Sequence, residues 1–451
     1  MITEKESILI QPFVNPCRAV VEVPGSKSIS NRALILSVMC KAEVELNGIL
    51  QSEDVDLMQQ ALLHLGVNIQ KNGNKIKVFG NGGVINKKER AINVGNAGTI
   101  ARFLTCLLAA QIEGVYHMDG TSAMWKRPML ELLNCLESLG CKIEYHENLG
   151  HFPFTLYTSG LSNNKIEIDA RKSGQNISGL LMQCPVLNND CTVNFTGGTV
   201  SMPFIDMTFK MMRSFIDKNT FNYTLTGNFA EVPVCEYKKN DFIYQIEPDA
   251  TAASYFLTLP HVVGGNCKVL GMKEEMLQGD IGYYNVLNNL GACIVFDDEG
   301  VKSTNLSSLT GGSFDFVDIS DTFLSLAAIS PLLNDKLEIY GIEHTRKQET
   351  DRVSAMAREL AKLGQDVTEK SDRLIIKPDL NKLRSVAKNG VEICTYKDHR
   401  FAMSFAILGS FDLFGDGQPW LTIKDPGCCA KTFPGFFDRL NTALIDSNAK
   451  I

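Results

Sequence analysis

Apolar residues recur along the chain in amphipathic stretches that end in Leu-Gly and are followed by a short β-like run. Met58–Gly66 precedes Val67-Asn-Ile, and Leu130–Gly140 precedes Cys141-Lys-Ile-Glu-Tyr. Further copies end at Gly291 and Gly364. Glycine is the usual residue just past a helix end, where φ is positive. Each copy therefore predicts a helix, a cap and a strand.

Two weaker copies carry Ile216 and Asn441 at the position of the glycine. The six markers, at 66, 140, 216, 291, 364 and 441, are separated by 74, 76, 75, 73 and 77 residues. Such spacing indicates internal repetition. A length of about 75 residues suits a βαβαββ unit, and three such units would form each of two domains.

The pattern therefore predicts an α/β protein with helices on one side of mixed sheets. A chain of 451 residues is also too long for one ordinary core, which favours two domains. A cleft between two domains is the default place for a ligand.

Composition excludes several classes of protein. The content of 44% hydrophobic and 21% charged residues is that of a soluble globular protein. No apolar run approaches 18 residues, and the polar N-terminus lacks the features of a signal peptide, so we expect a cytoplasmic protein without a membrane partner. The acidic balance argues against nucleic acid.

Cysteine and histidine spacing gives no sign of metal or disulfide chemistry. Thirteen cysteines without a C-x-x-C pair fit reduced thiols in the cytosol. Seven histidines show no H-x-x-H or H-E-x-x-H spacing. We therefore expect no metal.

The placement of basic residues points to a small anionic substrate. The chain has a net charge of −7, yet isolated cations lie in short segments rich in Gly, Ser, Thr and Asn: Lys27, Arg32, Arg127, Arg352, Arg400 and Lys431. A cleft can focus positive potential against an unfavourable net charge.

Two segments near the N-terminus have the composition of anion sites at helix starts. Lys27 and Arg32 flank Ser28–Asn31, which can cap an apolar helix; the alternative is a capped surface helix with two solvated cations. Asn96 and Gly98 open a second apolar helix and allow close approach to the backbone; the alternative is a simple turn.

Later segments follow the same plan. Acids and serines are good first-turn residues, which explains Asp321 and Glu349. Cations at a helix start oppose the helix dipole and need an anion nearby. The helix starts with such cations contain Arg352, Arg400 and Lys431.

Taken in order, these segments resemble the 5-enolpyruvylshikimate-3-phosphate synthases, which are 3-phosphoshikimate 1-carboxyvinyltransferases of the enolpyruvyl transferase family. The similarity is collinear from about residue 10 to 445. It is carried by Pro24–Arg32, Gly95–Thr99, Glu349–Arg352, Asp398–Arg400 and Ala430–Pro434.

The resemblance implies a two-domain inverse α/β barrel with six βαβαββ units, three per domain. One domain would comprise residues 1–24 plus 247–451 and the other 25–246, with the active site in the cleft between them. A monomer without a cofactor is implied. The substrates would be phosphoenolpyruvate and shikimate 3-phosphate.

The resemblance also implies roles for individual residues. Catalysis would fall to Lys27, Asp321, Glu349 and His399, with Asp321 taking the proton of the attacking 5-hydroxyl and Glu349 serving the methylene carbon. Phosphoenolpyruvate would be bound by Lys27, Asn96, Gly98, Gln175, Arg352, Arg400 and Lys431. Shikimate 3-phosphate would be bound by Lys27, Ser28, Arg32, Ser173, Gln175, Ser201, Asp321, His344 and Gln348.

Several residues depart from the family pattern. Ala123 stands where the family has an Arg for phosphoenolpyruvate, with Lys126 nearby. The other departures lie mainly on acceptor contacts: Gly174 for Ser, Phe204 for Tyr, His344 for Asn and Gln348 for Lys. Two alternatives therefore stay open: a paralogous enolpyruvyl transferase with another hydroxylated acceptor, and a non-catalytic binding protein on the same fold.

Overall fold

The chain divides into two compact units in the computed structural model. The terminal unit comprises Met1–Pro24 and Pro248–Ile451, and the central unit comprises Gly25–Glu247. The structure describes residues 6–170, 173–197, 202–217 and 219–449. The chain thus leaves the terminal unit after its second strand and returns to it more than 200 residues later.

Short strands run through both units. In chain order the described strands are β1 (Ser7–Leu9), β2 (Cys17–Val21), β3 (Glu43–Asn47), β4 (Asn68–Asn72), β5 (Lys75–Phe79), β6 (Glu89–Asn93), β7 (Gly114–Asp119), β8 (Lys142–Tyr145), β9 (Phe154–Thr158), β10 (Lys165–Asp169), β11 (Cys191–Thr196), β12 (Thr224–Leu225), β13 (Phe229–Val232), β14 (Phe242–Gln245), β15 (Gly265–Leu270), β16 (Cys293–Asp297), β17 (Gly300–Thr304), β18 (Gly312–Asp315), β19 (Leu337–Tyr340), β20 (Asp366–Glu369), β21 (Arg373–Lys377), β22 (Val391–Ile393) and β23 (Leu421–Lys424).

Helices alternate with these strands. The described α-helices are α1 (Lys27–Met39), α2 (Glu53–His64), α3 (Gly98–Ala109), α4 (Ser122–Trp125), α5 (Leu130–Ser138), α6 (Gly174–Leu181), α7 (Met202–Phe215), α8 (Ala250–Val263), α9 (Tyr283–Asn289), α10 (Phe323–Ile329), α11 (Arg352–Lys362), α12 (Leu380–Ala387), α13 (His399–Gly409) and α14 (Phe436–Ala449). Short 3₁₀ helices are Cys184–Val186, Gly279–Gly282, Ser330–Leu332, Glu343–Lys347 and Pro426–Lys431. Within the described ranges, no helix has the length and apolar character that crossing a membrane requires.

The described strands form six small sheets, three in each unit. The central unit has the orders β14-β3-β5-β4, β6-β7-β9-β8 and β10-β11-β13-β12. The terminal unit has β16-β17-β15-β2, β18-β19-β21-β20 and the three-stranded β1-β23-β22. Every four-stranded sheet contains one parallel and two antiparallel pairings, as in β18–β19, β19–β21 and β20–β21.

The repeat is clearest in β18-α10-β19-α11-β20-β21, which is a complete βαβαββ unit. In other sheets, a strand that is distant in the chain takes one of the positions. β2 pairs in parallel with β15, with Gly265 opposite Cys17, and β1 pairs antiparallel with β23, with Ser7 opposite Lys424. β14 pairs in parallel with β3, with Phe242 opposite Val44. The predicted α/β class with six repeated units, three per domain, is confirmed.

In each unit, three of the described helices are buried over all or most of their length. Every residue of α3, α10 and α13 is buried, and α1, α6 and α8 are buried over most of their length. Helices that are apolar on all sides belong in a core. The second helix of a repeat is amphipathic instead, and α11 buries a single face at Arg352, Val353, Ala355, Met356, Glu359 and Leu360.

The predicted caps are confirmed at the four glycine markers. Gly66, Gly140, Gly291 and Gly364 have φ of 92°, 106°, 103° and 78° just past the ends of α2, α5, α9 and α11. Ile216, which follows α7, forms an isolated antiparallel bridge with Tyr237. The marker at Asn441 is wrong, because α14 continues through it to Ala449.

Replacing Gly364 with Ala should lower the free energy of unfolding by about 1–2 kcal/mol, since an L-residue in the left-handed region costs about that much. The added Cβ would also lie 3.0 Å from the Cβ of Lys382. Urea denaturation of Gly364→Ala measures the loss. Gly435→Ala is the matched control, because its Cβ meets no described atom within 4 Å. Equal losses in the two variants would contradict the cap assignment.

Candidate active site

Arg352 is the centre of a polar cluster in the terminal unit. It is the first residue of α11 and is only 1% exposed. Its Nε lies 2.8 Å from Asp398 Oδ2, and its Nη1 lies 2.8 Å from Asp321 Oδ1. Its Nη2 lies 2.9 Å from Glu349 Oε2. One guanidinium therefore binds three carboxylates from separate segments of the chain.

Two of these carboxylates bind a second cation. Arg400 Nη2 donates to Asp321 Oδ2 at 2.5 Å, and Lys431 Nζ donates to Glu349 Oε1 at 2.8 Å. Asp321 is thus held between two arginines, whereas Glu349 is held between an arginine and a lysine. The two predicted acid–base residues share one partner and differ in the other.

The electrostatics of the cluster keep its arginines charged. Burial acts to lower the pKa of Arg352, but Asp398, Glu349 and Asp321 raise it above its ordinary value. Burial likewise opposes charge on Arg400, and Asp321 above all raises its pKa. In the described part of the chain, no three His, Cys, Asp or Glu side chains are placed to hold a metal ion.

The start of α13 is built by Asp398, which the sequence-based site set omitted. Its buried side chain accepts a hydrogen bond from the backbone N–H of Arg400 at 3.0 Å, so it caps the helix and holds Arg352 at once. His399 is the first residue of α13 and is 1% exposed. Its Nδ1 lies 3.8 Å from Asp398 Oδ1, beyond hydrogen-bond distance.

Two departures from the family pattern lie in this cluster. His344 Nε2 is 2.8 Å from the hydroxyl of Ser320, the residue before Asp321. Burial lowers the pKa of His344, although the Asp321 carboxylate opposes this. The side-chain oxygen of Gln348 accepts a hydrogen bond from Arg352. Gln348 therefore adds a neutral acceptor to the three carboxylates around Arg352.

Asp280 also lies beside the cluster, although no sequence motif predicted it. It lies in the 3₁₀ helix Gly279–Gly282 and accepts a hydrogen bond from Thr251 Oγ1 at 2.8 Å. Burial, above all, and the Asp321 carboxylate raise the pKa of Asp280 to about 7, whereas Arg400 and Thr251 oppose the shift. A Gln-Gly-Asp tripeptide carries no recognisable signal, and only the fold brings it to Arg400.

The central unit holds the other predicted residues. Lys27 is the first residue of α1, and its Nζ lies 3.5 Å from Asp54 Oδ2. Ser173 is the N-cap of α6, and Gln175 lies in the first turn of that helix, partly exposed. Ser201 lies outside the described residues.

Arg32 is buried among neutral oxygen atoms. It donates to Thr208 Oγ1 at 2.8 Å, Ser178 Oγ at 3.0 Å, and the carbonyls of Ser28 and Phe204 at 3.1 and 3.4 Å. Burial lowers the pKa of Arg32 to about 9, and no acid in the described residues forms an ion pair with it. These bonds use four of its five N–H groups. A buried cation without a negative partner favours an incoming anion.

Arg127 extends the site around Gly98, which is the first residue of α3. Its Nη1 lies 3.3 Å from the carbonyl of Asn96, and a Cβ on Gly98 would lie 2.5 Å from its Nη2. A larger residue at position 98 would therefore displace the Arg127 guanidinium from the helix start. The sequence marked Arg127 as an isolated cation but did not place it here. Ala123 lies in α4 and is exposed.

The fold is that of a known class of two-domain α/β proteins. A structure of EPSP synthase from Acinetobacter baumannii matches with a TM-score of 0.79 at 22% identity, covering 97% of this chain and 98% of that one. A second structure of EPSP synthase from the same organism matches with a TM-score of 0.74 over the same shares.

Sequence comparison then defines the family. Residues 13–440 match the family model described as EPSP synthase (3-phosphoshikimate 1-carboxyvinyltransferase). A 3-phosphoshikimate 1-carboxyvinyltransferase from Opitutus terrae is 44% identical over 96% of both chains. Another, from Nostoc punctiforme, is 36% identical over 96% of this chain and 98% of its own. The chain belongs to the EPSP synthase family, and the resemblance seen in its motifs is confirmed.

Asp280→Asn should stabilise the protein more at pH 8 than at pH 5. A folded-state pKa of about 7 lies above the unfolded value of about 3.9, so the folded state binds the extra proton between them. That stabilisation is complete below about pH 4 and is lost as the pH rises through 7. Because asparagine does not ionise, the variant's advantage should grow by about 1–3 kcal/mol between these conditions.

Urea denaturation at pH 5, 6, 7 and 8 measures the advantage of Asp280→Asn. Asp298→Asn, which removes an exposed carboxylate, is the control. A difference from wild type that does not change with pH would show that Asp280 keeps an ordinary pKa.

Proposed function

We propose that this protein transfers the enolpyruvyl group of phosphoenolpyruvate to the 5-hydroxyl of shikimate 3-phosphate and releases phosphate. Membership of the EPSP synthase family supports the reaction. The observation that carries it is the bridge of Arg352 between Asp321 and Glu349, each of which binds its own second cation. Two carboxylates with different partners suit two distinct proton transfers.

The reaction proceeds by addition and then elimination. Asp321 takes the proton of the 5-hydroxyl as the oxygen forms a bond to C2 of phosphoenolpyruvate. The electron pair of the C2–C3 double bond takes a proton at C3 from the Glu349 side of the cluster. The bond from C2 to the phosphate oxygen then breaks, a proton leaves C3, and the double bond re-forms in the product.

The fixed cations of the terminal unit stabilise the negative charge of the substrate and of the leaving phosphate. Arg352, Arg400 and Lys431 bind the carboxylate and phosphate of phosphoenolpyruvate and stabilise phosphate as it leaves. Their positions are set before the substrate arrives, because each already bonds a carboxylate at 2.9 Å or less. Preorganised charges of this kind need no rearrangement during the reaction. His399, beside Asp398, relays protons at the methylene carbon.

The central unit supplies the groups for the acceptor phosphate. Arg32 is a buried cation surrounded by neutral oxygens, and Ser28 lies one turn before it on α1. Ser173, Gln175 and Ser201 complete the acceptor set by resemblance. His344 and Gln348 take the same role from the terminal unit.

Binding of phosphoenolpyruvate also involves Lys27, Asn96, Gly98 and Gln175. Arg127 joins this group, because it contacts the carbonyl of Asn96 and lies against Gly98. That the two units serve one shared site stays a prediction of the resemblance.

Release of inorganic phosphate from phosphoenolpyruvate by the purified protein tests the function. We expect release only when shikimate 3-phosphate is present, with unphosphorylated shikimate as the matched control. Release that requires another polyol phosphate would overturn the acceptor. Binding of both substrates without turnover would overturn the reaction.

Glu349→Gln should lower kcat by about 100-fold or more, because general acid–base groups contribute about that much. The free energy of unfolding should fall by no more than about 2 kcal/mol, since the amide still accepts hydrogen bonds. Steady-state kinetics and urea denaturation measure the two effects. Glu275→Gln changes an exposed acid of the same unit and should leave kcat unchanged. Near-normal turnover of Glu349→Gln would exclude the proton role.

Arg127→Ala should raise the KM for phosphoenolpyruvate by about 10- to 150-fold, the value of one charge-assisted contact. The adjacent Lys126 is exposed, so Lys126→Ala is the matched control and should change the KM little. The comparison is made at saturating shikimate 3-phosphate. A larger effect at Lys126 would assign the anion contact to the lysine instead.

A further inference from the structure

The turn that leads into α13 has a backbone unfavourable for its residues. The N–H of Asp398 bonds the carbonyl of Thr395 at 2.8 Å, and the two residues between them have positive φ. Tyr396 has φ of 56° and Lys397 has φ of 60°. Turns with two such residues strongly prefer Gly, Asn or Asp at these places. Something outside the turn must therefore hold it.

Glu359 of α11 holds the turn from inside the protein. Its side chain is completely buried. One carboxylate oxygen, Oε2, accepts from the backbone N–H of Cys394 at 3.1 Å, and Oε1 accepts from the hydroxyl of Tyr396 at 2.5 Å. Lys362 Nζ lies 2.8 Å from both oxygens and supplies the compensating charge.

The ring of Tyr396 is held independently of its hydroxyl. The guanidinium carbon of Arg358 lies 5.2 Å from the ring centroid, and Phe401 packs edge-on at 5.7 Å. Removing the hydroxyl therefore leaves the aromatic contacts in place and takes away the hydrogen bond to Glu359, together with the interaction of the hydroxyl with Arg358.

Helix α11 contacts this turn at both ends. Glu359 lies seven residues after Arg352, two turns along the same buried face of α11. Glu359 binds the beginning of the turn at Cys394 and Tyr396, whereas Arg352 binds Asp398 at its end. Asp398 in turn caps α13 through the backbone N–H of Arg400. Both ends of the turn are therefore attached to the same helix, α11.

We propose that Glu359 is a positioning residue, which holds the Tyr396–Lys397 turn so that Asp398 and Arg400 stay in the arrangement that binds phosphoenolpyruvate. Its kinetic consequence rests on the proposed function. Without Glu359 the turn relaxes, and a smaller fraction of the protein presents Arg400 correctly. The apparent affinity for the anion falls by that fraction. Bound substrate restores the arrangement, so kcat at saturation changes much less than KM.

The experiment compares steady-state kinetics of wild type, Tyr396→Phe and Glu359→Gln. Loss of one hydrogen bond should raise the KM for phosphoenolpyruvate about 2- to 10-fold in Tyr396→Phe. Loss of the buried charge should raise it about 10- to 100-fold in Glu359→Gln. In both variants kcat should stay within about twofold of wild type. If Glu359→Gln does not fold, Tyr396→Phe alone still tests the proposal.

Tyr157→Phe is the matched control, because Tyr157 also donates its hydroxyl to a glutamate, Glu144, at 2.8 Å but lies in the central unit. Its KM should equal that of wild type. In the double variant, Tyr396→Phe should add less than about twofold to Glu359→Gln, since both act through one contact. Independent effects that multiply, or a loss of thermal stability at unchanged KM, would overturn the proposal.

Hydrogen exchange separates this inference from the proposed function. The backbone N–H of Arg400 is bonded to Asp398, so its protection reports the turn directly. Protection should fall in Tyr396→Phe and Glu359→Gln while later residues of α13 keep theirs. A wild-type protein without turnover would overturn the proposed function alone. Unchanged protection of Arg400 in both variants would overturn the role of Glu359.

Discussion

The burial of Arg352 is the constraint on which the candidate active site depends. Burial of a guanidinium costs free energy, and Asp321, Glu349 and Asp398 from three segments compensate the charge of Arg352. Each of these acids therefore has both a structural and a chemical reason for its position. The same contacts that compensate the buried charge bring the proposed proton-transfer groups to within one side chain of each other.

The two units treat positive charge in different ways. In the terminal unit, Arg352, Arg400 and Lys431 are each paired with acids that offset their charge. In the central unit, Arg32 is bonded to hydroxyl and carbonyl oxygens. The first arrangement suits proton transfer, and the second suits tight retention of a phosphate. The difference between the units is therefore set by whether the partners of a cation are acidic or neutral.

Local sequence signals predicted much of the fold and part of the site. Gly66 and Gly364 marked helix ends because positive φ favours glycine at that one position. Asn441 failed as a marker, because α14 runs on past it and no residue there must leave the helix. Asp280 and Glu359 gave no signal, since Asp280 bonds Thr251, 29 residues away, and Glu359 bonds the turn at Cys394, 35 residues away, and only the folded chain brings these groups together. Motifs report local backbone needs, whereas tertiary partners appear only in the structure.

The pairing of β1 with β23 fixes the order in which the chain becomes able to fold during synthesis. β14 completes the described strands of the central unit at Gln245, so these strands are all made before any strand of the terminal unit from β15 onward. Ser7 finds its partner only at Lys424. β1 therefore remains without its sheet until the chain has been synthesised through β23, long after the strands of the central unit have been made.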